Sequence, residues 1–169
     1  TIATKVEIIL DHFIEKIVKT KKLKGKAKAM VVTANIETAI VYFQAINKKL
    51  EELGNPFKAI IAFSGKKEVK GIEHTEDSMN KFASKDISDK FDTDEYRLLV
   101  VANKFLTGFD QPKWCAMYVD KKLQSVVAVQ ALSRLNRSAS KDGKKTEDIF
   151  VLDFFNKTED IKTSFDPFY

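Results

Sequence analysis

The sequence predicts an α/β chain built on a mainly parallel central sheet with helices packed on its faces. Three observations point there. Short apolar runs with little alternation recur at residues 29–33 (AMVVT), 59–63 (AIIAF), 98–101 (LLVV), 116–119 (AMYV) and 149–154 (IFVLDF), as strands buried on both faces should read. Between several of them lie stretches whose apolar residues are spaced by three and four, the period of an amphipathic helix. Strand and helix patterns alternate along the chain, as in a layered α/β domain.

In chain order, Val6, Ile9, Leu10, Phe13, Ile14, Ile17 and Val18 give residues 5–18 one buried helical face. A lysine run follows at Lys19, Lys21, Lys22, Lys24, Lys26 and Lys28, with Gly25 able to stop the helix. The run reads first as a solvated helix end and linker, and second as a DNA-contacting patch. After the strand at 29–33, Asn35 can cap a helix that buries Ile40, Val41, Phe43, Ile46 and Leu50, and Gly54, Asn55 and Pro56 break it. The strand at 59–63 runs straight into Ser64 and Gly65. Residues 75–91 are mixed and should hold one or two short helices, burying Met79, Phe82, Ile87 and Phe91. Strands at 98–101 and 116–119, a helix over 125–137, the strand at 149–154 and a short helix over 156–165 complete the series, and Asp166-Pro167 ends it. In such folds ligands gather beyond the carboxyl ends of the strands. A site is therefore expected from the loops at 33–35, 64–65, 103–111 and 120–123.

At 169 residues the chain is most simply one domain, and its 44% hydrophobic and 31% charged composition is ordinary for a soluble protein. No apolar run approaches the roughly 20 residues that span a bilayer, and the start has no signal-peptide pattern. Opening on Thr1 rather than Met points to a piece of something longer. Cys115 is the single cysteine and His12 and His74 are far apart, so no disulfide, zinc or other metal site is expected, and a reducing, cytoplasmic setting fits. The net charge of +5 permits contact with nucleic acid without requiring it.

Two elements could carry chemistry. Gln130, Arg134 and Arg137 fall along one helical stripe, while Val126, Val127, Val129, Leu132 and Leu135 supply a buried face. Arginine suits phosphate because its planar fork donates two parallel hydrogen bonds and stays charged; spacing alone favours a surface ion-pair helix. Thr107-Gly108-Phe109-Asp110 follows the strand at 98–101. A glycine there lets backbone amides approach a phosphate or ribose, and Asp110 could accept from a sugar hydroxyl or hold an arginine; taken alone the segment is an ordinary turn. Phe109 and Trp114 read as packing. Gly65-Lys66-Lys67 and Gly143-Lys144-Lys145 do not fit GxxxxGK[ST], and no acidic pair follows a strand in a magnesium-binding arrangement. The arginines therefore stand without the machinery that binds and splits a nucleotide.

Taken in this order, the two elements resemble motifs V and VI of superfamily 2 helicases and translocases. QALSRLNR matches the Q-x-x-x-R-x-x-R core of motif VI at Gln130, Arg134 and Arg137. ANKFLTGFDQP resembles the TGFD-x-P form of motif V in the restriction (motor) subunit of type I restriction–modification enzymes. The stretches KAMVVTANIETAIVYFQAI, KAIIAFSG and VLDFFNKTEDIKTSFDPFY are also similar to that subunit, so the likeness runs from about Lys28 to Tyr169. Ser133 stands where many relatives carry glycine, and Ala131 where many carry arginine, which argues against a DEAD-box RNA helicase.

The resemblance implies a three-layer RecA-like (P-loop NTPase-like) fold for residues 28–169, the helicase C-terminal domain, with residues 1–27 as an N-terminal helix and basic linker packed on it. It implies ATP with Mg2+, shared with a first motor domain that this chain does not contain, and no ATPase activity from this fragment alone. Arg134 and Arg137 would be arginine fingers, with Gln130, Gly108 and Asp110 at the nucleotide. Thr33, Ser64, Gly65, Asn103 and Thr107 would touch the backbone of double-stranded DNA. Implied partners are the N-terminal motor and nuclease domains of the same subunit and the modification (methyltransferase) and specificity subunits. The alternatives are a RecA-like module that only docks DNA or protein, and the motor domain of another superfamily 2 DNA translocase.

Overall fold

The computed structural model describes residues 1–21, 25–102, 114–121 and 150–154. Helix α1 (Ile2–Phe13) continues through a π-helical turn at Ile14–Val18. Then come strand β1 (Lys28–Thr33), helix α2 (Ile36–Glu52), strands β2 (Lys58–Ala62), β3 (Lys66–Val69) and β4 (Ile72–Thr75), and short helices α3 (Glu76–Asn80) and α4 (Ile87–Phe91). Strands β5 (Tyr96–Val101), β6 (Trp114–Asp120) and β7 (Phe150–Asp153) follow. Five strands form one sheet in the order β2-β5-β1-β6-β7, and every pairing in it is parallel.

The register explains why the strand runs are apolar throughout. Ala29 and Val31 of β1 lie level with Leu98 and Val100 of β5 and with Ala116 and Tyr118 of β6. All of these sit in a core shared with Val6, Ile9, Leu10 and Phe13 of α1 and with Ile40, Tyr42, Phe43 and Ile46 of α2. The alternate residues Met30, Val32, Leu99, Val101, Met117 and Val119 face the other way and pack with Ile87 and Phe91 of α4. A strand's side chains alternate between faces, so a strand covered on both sides must be apolar at every position. Helices on both faces make three layers, as expected.

Helix starts follow local chemistry. Thr1 caps α1 by accepting from the Thr4 amide, and Asn35 caps α2 by accepting from the Thr38 amide at 2.8 Å. At the other end of α2, Gly54 and Asn55 adopt left-handed backbone (φ +81° and +54°) and the Asn55 amide closes onto the Leu50 carbonyl. Two expectations are corrected here. The buried face of α2 includes Tyr42 rather than Val41, because the Tyr42 hydroxyl finds a carboxylate inside the fold. And a β3–β4 hairpin, antiparallel and turning at Lys70 and Gly71 (φ +51° and +79°), occupies a stretch that the apolar pattern leaves blank.

Strand β2 lies at an edge of the sheet. The Asn80 side chain stands in for a neighbouring strand: it accepts from the Ile61 amide (2.9 Å) and donates to the Ile61 carbonyl (2.7 Å). One step along, the Phe63 amide donates to Glu76 at 2.7 Å. An open edge is a template for pairing with another chain, and these side chains occupy it. Asn80→Leu should therefore destabilise the protein by about 1–3 kcal/mol in chemical denaturation, because it strands a backbone donor and acceptor. It should also raise self-association in sedimentation; a monomer of unchanged stability would contradict the edge-cap role.

Candidate functional site at the carboxyl edge of the sheet

Because the five strands are parallel, their carboxyl ends share one edge. Thr33 ends β1 and pairs in register with Asp120 at the end of β6. Thr33 is fully buried, and its hydroxyl donates to the Val101 carbonyl of β5 (3.0 Å) and the Asn35 carbonyl (3.2 Å). Its side chain ties two strand ends together at the point where a DNA contact is expected of it. Ser64 and Gly65 leave the end of β2 exposed, with Gly65 at φ +76°. They line a shallow pocket of about 440 Å3 with Thr75, Asp77 and Ser84. A second cavity, of about 390 Å3, lies near the starts of β2 and β5 and belongs to the opposite edge.

Asn103, Thr107, Gly108 and Asp110, and Gln130, Arg134 and Arg137 with the helix expected over 125–137, lie outside the described residues, as does the helix expected over 156–165. The backbone does fix where those segments depart. The first follows β5 and the second follows β6, and these two strands flank β1 on either side.

Asp120 is the polar centre of this edge. Its Oδ2 accepts from the Tyr42 hydroxyl at 2.6 Å and pairs with Lys5 Nζ at 3.0 Å, and its side chain is 11% exposed. Burial first, and then the adjoining carboxylate, push the Tyr42 phenol above its ordinary range. The next residue, Lys121, is also buried, which lowers its proton affinity. Nearby, His12 Nδ1 and the Tyr118 hydroxyl are 2.8 Å apart. Burial raises the phenol and lowers the imidazole, which favours the neutral form of each. None of these partnerships is visible in sequence. Among the described residues no group of three or more His, Cys, Asp or Glu is placed to hold a metal ion, and none of the helices is long and apolar enough to cross a membrane.

At the opposite edge two buried cations stitch the strand starts together. Lys28 donates to the carbonyls of Thr93 (2.7 Å) and Tyr96 (2.6 Å) and lies over the Phe91 ring, and Arg97 Nε donates to the Ala27 carbonyl at 2.6 Å. These are structural donors, remote from the strand ends where loops gather.

The family model for type I restriction enzyme subunit R domain 3 matches residues 69–153, half of the chain, and spans both the TGFD and QALSRLNR segments. The chain belongs to this family. Two Methanocaldococcus jannaschii relatives agree. The putative type I restriction enzyme MjaVIIP endonuclease subunit is 28% identical over 126 residues, covering 66% of this chain and 12% of that protein. The putative MjaIXP endonuclease subunit is 28% identical over 132 residues, covering 76% of this chain and 12% of that protein. The chain thus spans about 12% of the length of these restriction endonuclease subunits.

Solved helicase and ATPase domains share the fold of this chain. Domain 2 of the DEAD-box helicase Mss116p, bound to an RNA duplex, superposes with a TM-score of 0.56 at 18% identity, over 92% of this chain and 51% of that one. The C-terminal part of the Fun30 ATPase domain gives 0.56 at 15% identity, over 94% and 44%. The S. cerevisiae Dbp5 C-terminal domain, bound to Gle1 and IP6, gives 0.54 at 11% identity, over 99% and 80%. At these identities the likeness is one of fold.

His12 gives this edge a pH dependence. Burial first, and Lys16 second, hold its pKa below the ordinary value of 6.5. A base with depressed affinity in the fold contributes stability above its unfolded pKa and loses it as pH falls through the folded pKa. Acidification from about pH 7.5 to about 5.5 should therefore lower the melting temperature of the wild-type chain more than that of His12→Asn, whose side chain does not titrate in this range. Equal shifts would remove His12 from the account.

Proposed function

We propose that this chain is the second motor domain of an ATP-dependent double-stranded DNA translocase in a type I restriction endonuclease complex. The observation that carries this reading is the strand order. With β1 between β5 and β6, the strand that precedes TGFD and the strand that precedes QALSRLNR end on the same edge two strands apart, about 10 Å at the usual strand spacing. That is the scale of a nucleotide, and the chemistry of the two segments is complementary. Arg134 and Arg137 supply phosphate-binding forks with Gln130 in support, while Gly108 and Asp110 serve the sugar and the hinge between the two motor domains.

In this reading ATP and its Mg2+ are held chiefly by a first motor domain, since the present chain has no GxxxxGK[ST] loop. Bound there, the metal would neutralise phosphate charge. The two arginines complete the pocket from this side as charge builds on the transferring phosphoryl group. Ser64 and Gly65, exposed at the end of β2, and Asn103 and Thr107 after β5, contact the phosphate backbone of duplex DNA. Thr33 serves from within by locking β1 to β5. Backbone contact suits a motor that must move along any sequence. Target choice and methylation would fall to the specificity and modification subunits, and cleavage to a nuclease domain of the same subunit.

In the full-length subunit, Arg134→Ala or Arg137→Ala should lower DNA-stimulated ATP turnover by about 10³-fold or more, the scale of lost arginine fingers. Wild-type turnover in both variants would refute the assignment. The 169-residue chain alone should hydrolyse no ATP. It should bind duplex DNA weakly, with log affinity falling linearly with log salt and no sequence preference in competition. A strong sequence preference would instead favour a dedicated docking module.

A further inference from the structure

We propose that the cleft at the amino edge of the sheet docks a short, extended, acidic peptide of a partner protein, one that carries a single large apolar side chain. The site lies away from the strand-end loops, so it stands whether or not the chain is a motor domain. The cleft opens between the second half of α2 and the segment that runs from α3 to α4. Its backbone wall is the start of β2. Along an edge strand, alternate residues turn both amide and carbonyl to the outer rim. Ile61 does so and is covered by Asn80, and Phe63 does so and donates to Glu76. The Lys58 amide points the other way, to the Glu95 carbonyl at 2.9 Å. Alternation therefore turns the amide and carbonyl of Ala59 outward, and Ala59 lines the cleft. A donor and an acceptor at a sheet rim are what an extended peptide pairs with. Asn80 fills the next outward position, so the paired stretch must be short.

The floor and the rim specify the rest of the peptide. Phe43, Leu50 and Phe57 are buried core residues that surface in the cleft, joined by half-buried Met79, whose thioether adapts to varied partners. An apolar side chain placed there leaves water for an apolar bed. The rim carries Lys58, Lys81 and Lys90 against one lining carboxylate, Glu51. Lys58 is answered by Glu95 at 2.6 Å, while Lys81 and Lys90 take part in no ion pair among the described residues. Carboxylates flanking the apolar side chain would complement that pair. Lysines beside aromatic rings also suit single-stranded nucleic acid, which stacks its bases on the rings. Here, however, Phe82 and Tyr96 meet edge to face, and Lys90 and Lys58 lie over them at 5.7 and 5.8 Å. A ring covered by an ammonium offers a base no platform on that side, whereas the open backbone of Ala59 matches a peptide.

The test uses the 169-residue chain and a capped, fluorescently labelled peptide of sequence DEFEDE, read by anisotropy and by amide chemical shifts. Saturable binding is expected, with the amides of Ala59, Asn80 and Phe82 shifting and those of Ser64 and Gly65 unmoved. The peptide DEAEDE, which lacks the aromatic side chain, should bind at least about tenfold more weakly. The double variant Lys81→Glu, Lys90→Glu should weaken DEFEDE by about fivefold or more. Ala59→Pro removes one outward amide at a position where an edge strand tolerates proline, and should weaken binding about threefold or more. If Ala59→Pro does not fold, the surface lysine variant decides the matter. Overturning results are no saturable binding up to about 1 mM peptide, equal binding of DEFEDE and DEAEDE, or unchanged affinity in the folded variants. An oligothymidylate that shifts the same amides while DEFEDE does not would also overturn the proposal, making the cleft a nucleic-acid site.

Discussion

The parallel pairing of β1 with β5 on one side and β6 on the other is the constraint from which the rest follows. Parallel neighbours cannot be joined by tight turns, so each connection must cross a face of the sheet, usually as a helix. That requirement puts α1 and α2 over one face and α4 over the other, and it makes β1 apolar at its four central positions, Ala29 to Val32. It also sends every strand's carboxyl end to the same edge, which turns an arbitrary set of loops into neighbours. Helices make the core, but strand direction makes the site.

The two edges of the sheet handle their polar groups differently. At the amino edge, Lys28 and Arg97 are drawn inside to satisfy carbonyls of Thr93, Tyr96 and Ala27, a use of cations as hydrogen-bond donors. At the carboxyl edge, Thr33 and Asp120 are turned inward, their polar atoms engaged by Val101, Asn35, Tyr42 and Lys5. Thr33 and Asp120 are thus committed to the fold, and the loops beyond them are left to meet ligands. Ser64 and Gly65 are the described example. A rigid scaffold with chemistry on its loops is the usual division of labour in open α/β sheets.

How legible this was depended on how local the signal is. The five parallel strands were readable because burial on both faces writes itself as a continuous apolar run, and α2 because Asn35 and a helical period announce it. Tyr42 was not readable as core, since its hydroxyl looks polar until Asp120 arrives from 78 residues away. The hairpin hid because its ten residues include only Val69 and Ile72 as large apolar side chains, and Ile72 is 61% exposed. Of the site, the residue types were legible in TGFD and QALSRLNR, and the sheet order supplies the placement of their departures. The Lys5–Asp120–Tyr42 contact had no sequence signature at all, because pairs that far apart leave no periodicity to detect.

The plug on strand β2 bears on how the protein is made. Its two side chains, Glu76 and Asn80, come from only 13 and 19 residues downstream of the backbone they cover. On a chain emerging from the ribosome, those contacts can close before β5, β6 or β7 exists. The outward rim of the sheet is then shielded early, while the inward rim waits for Tyr96–Val101. Short-range closure is fast and long-range pairing is slow. In a half-synthesised molecule the outer edge of β2 can thus be covered while its inner edge and both edges of β1 still wait for later strands.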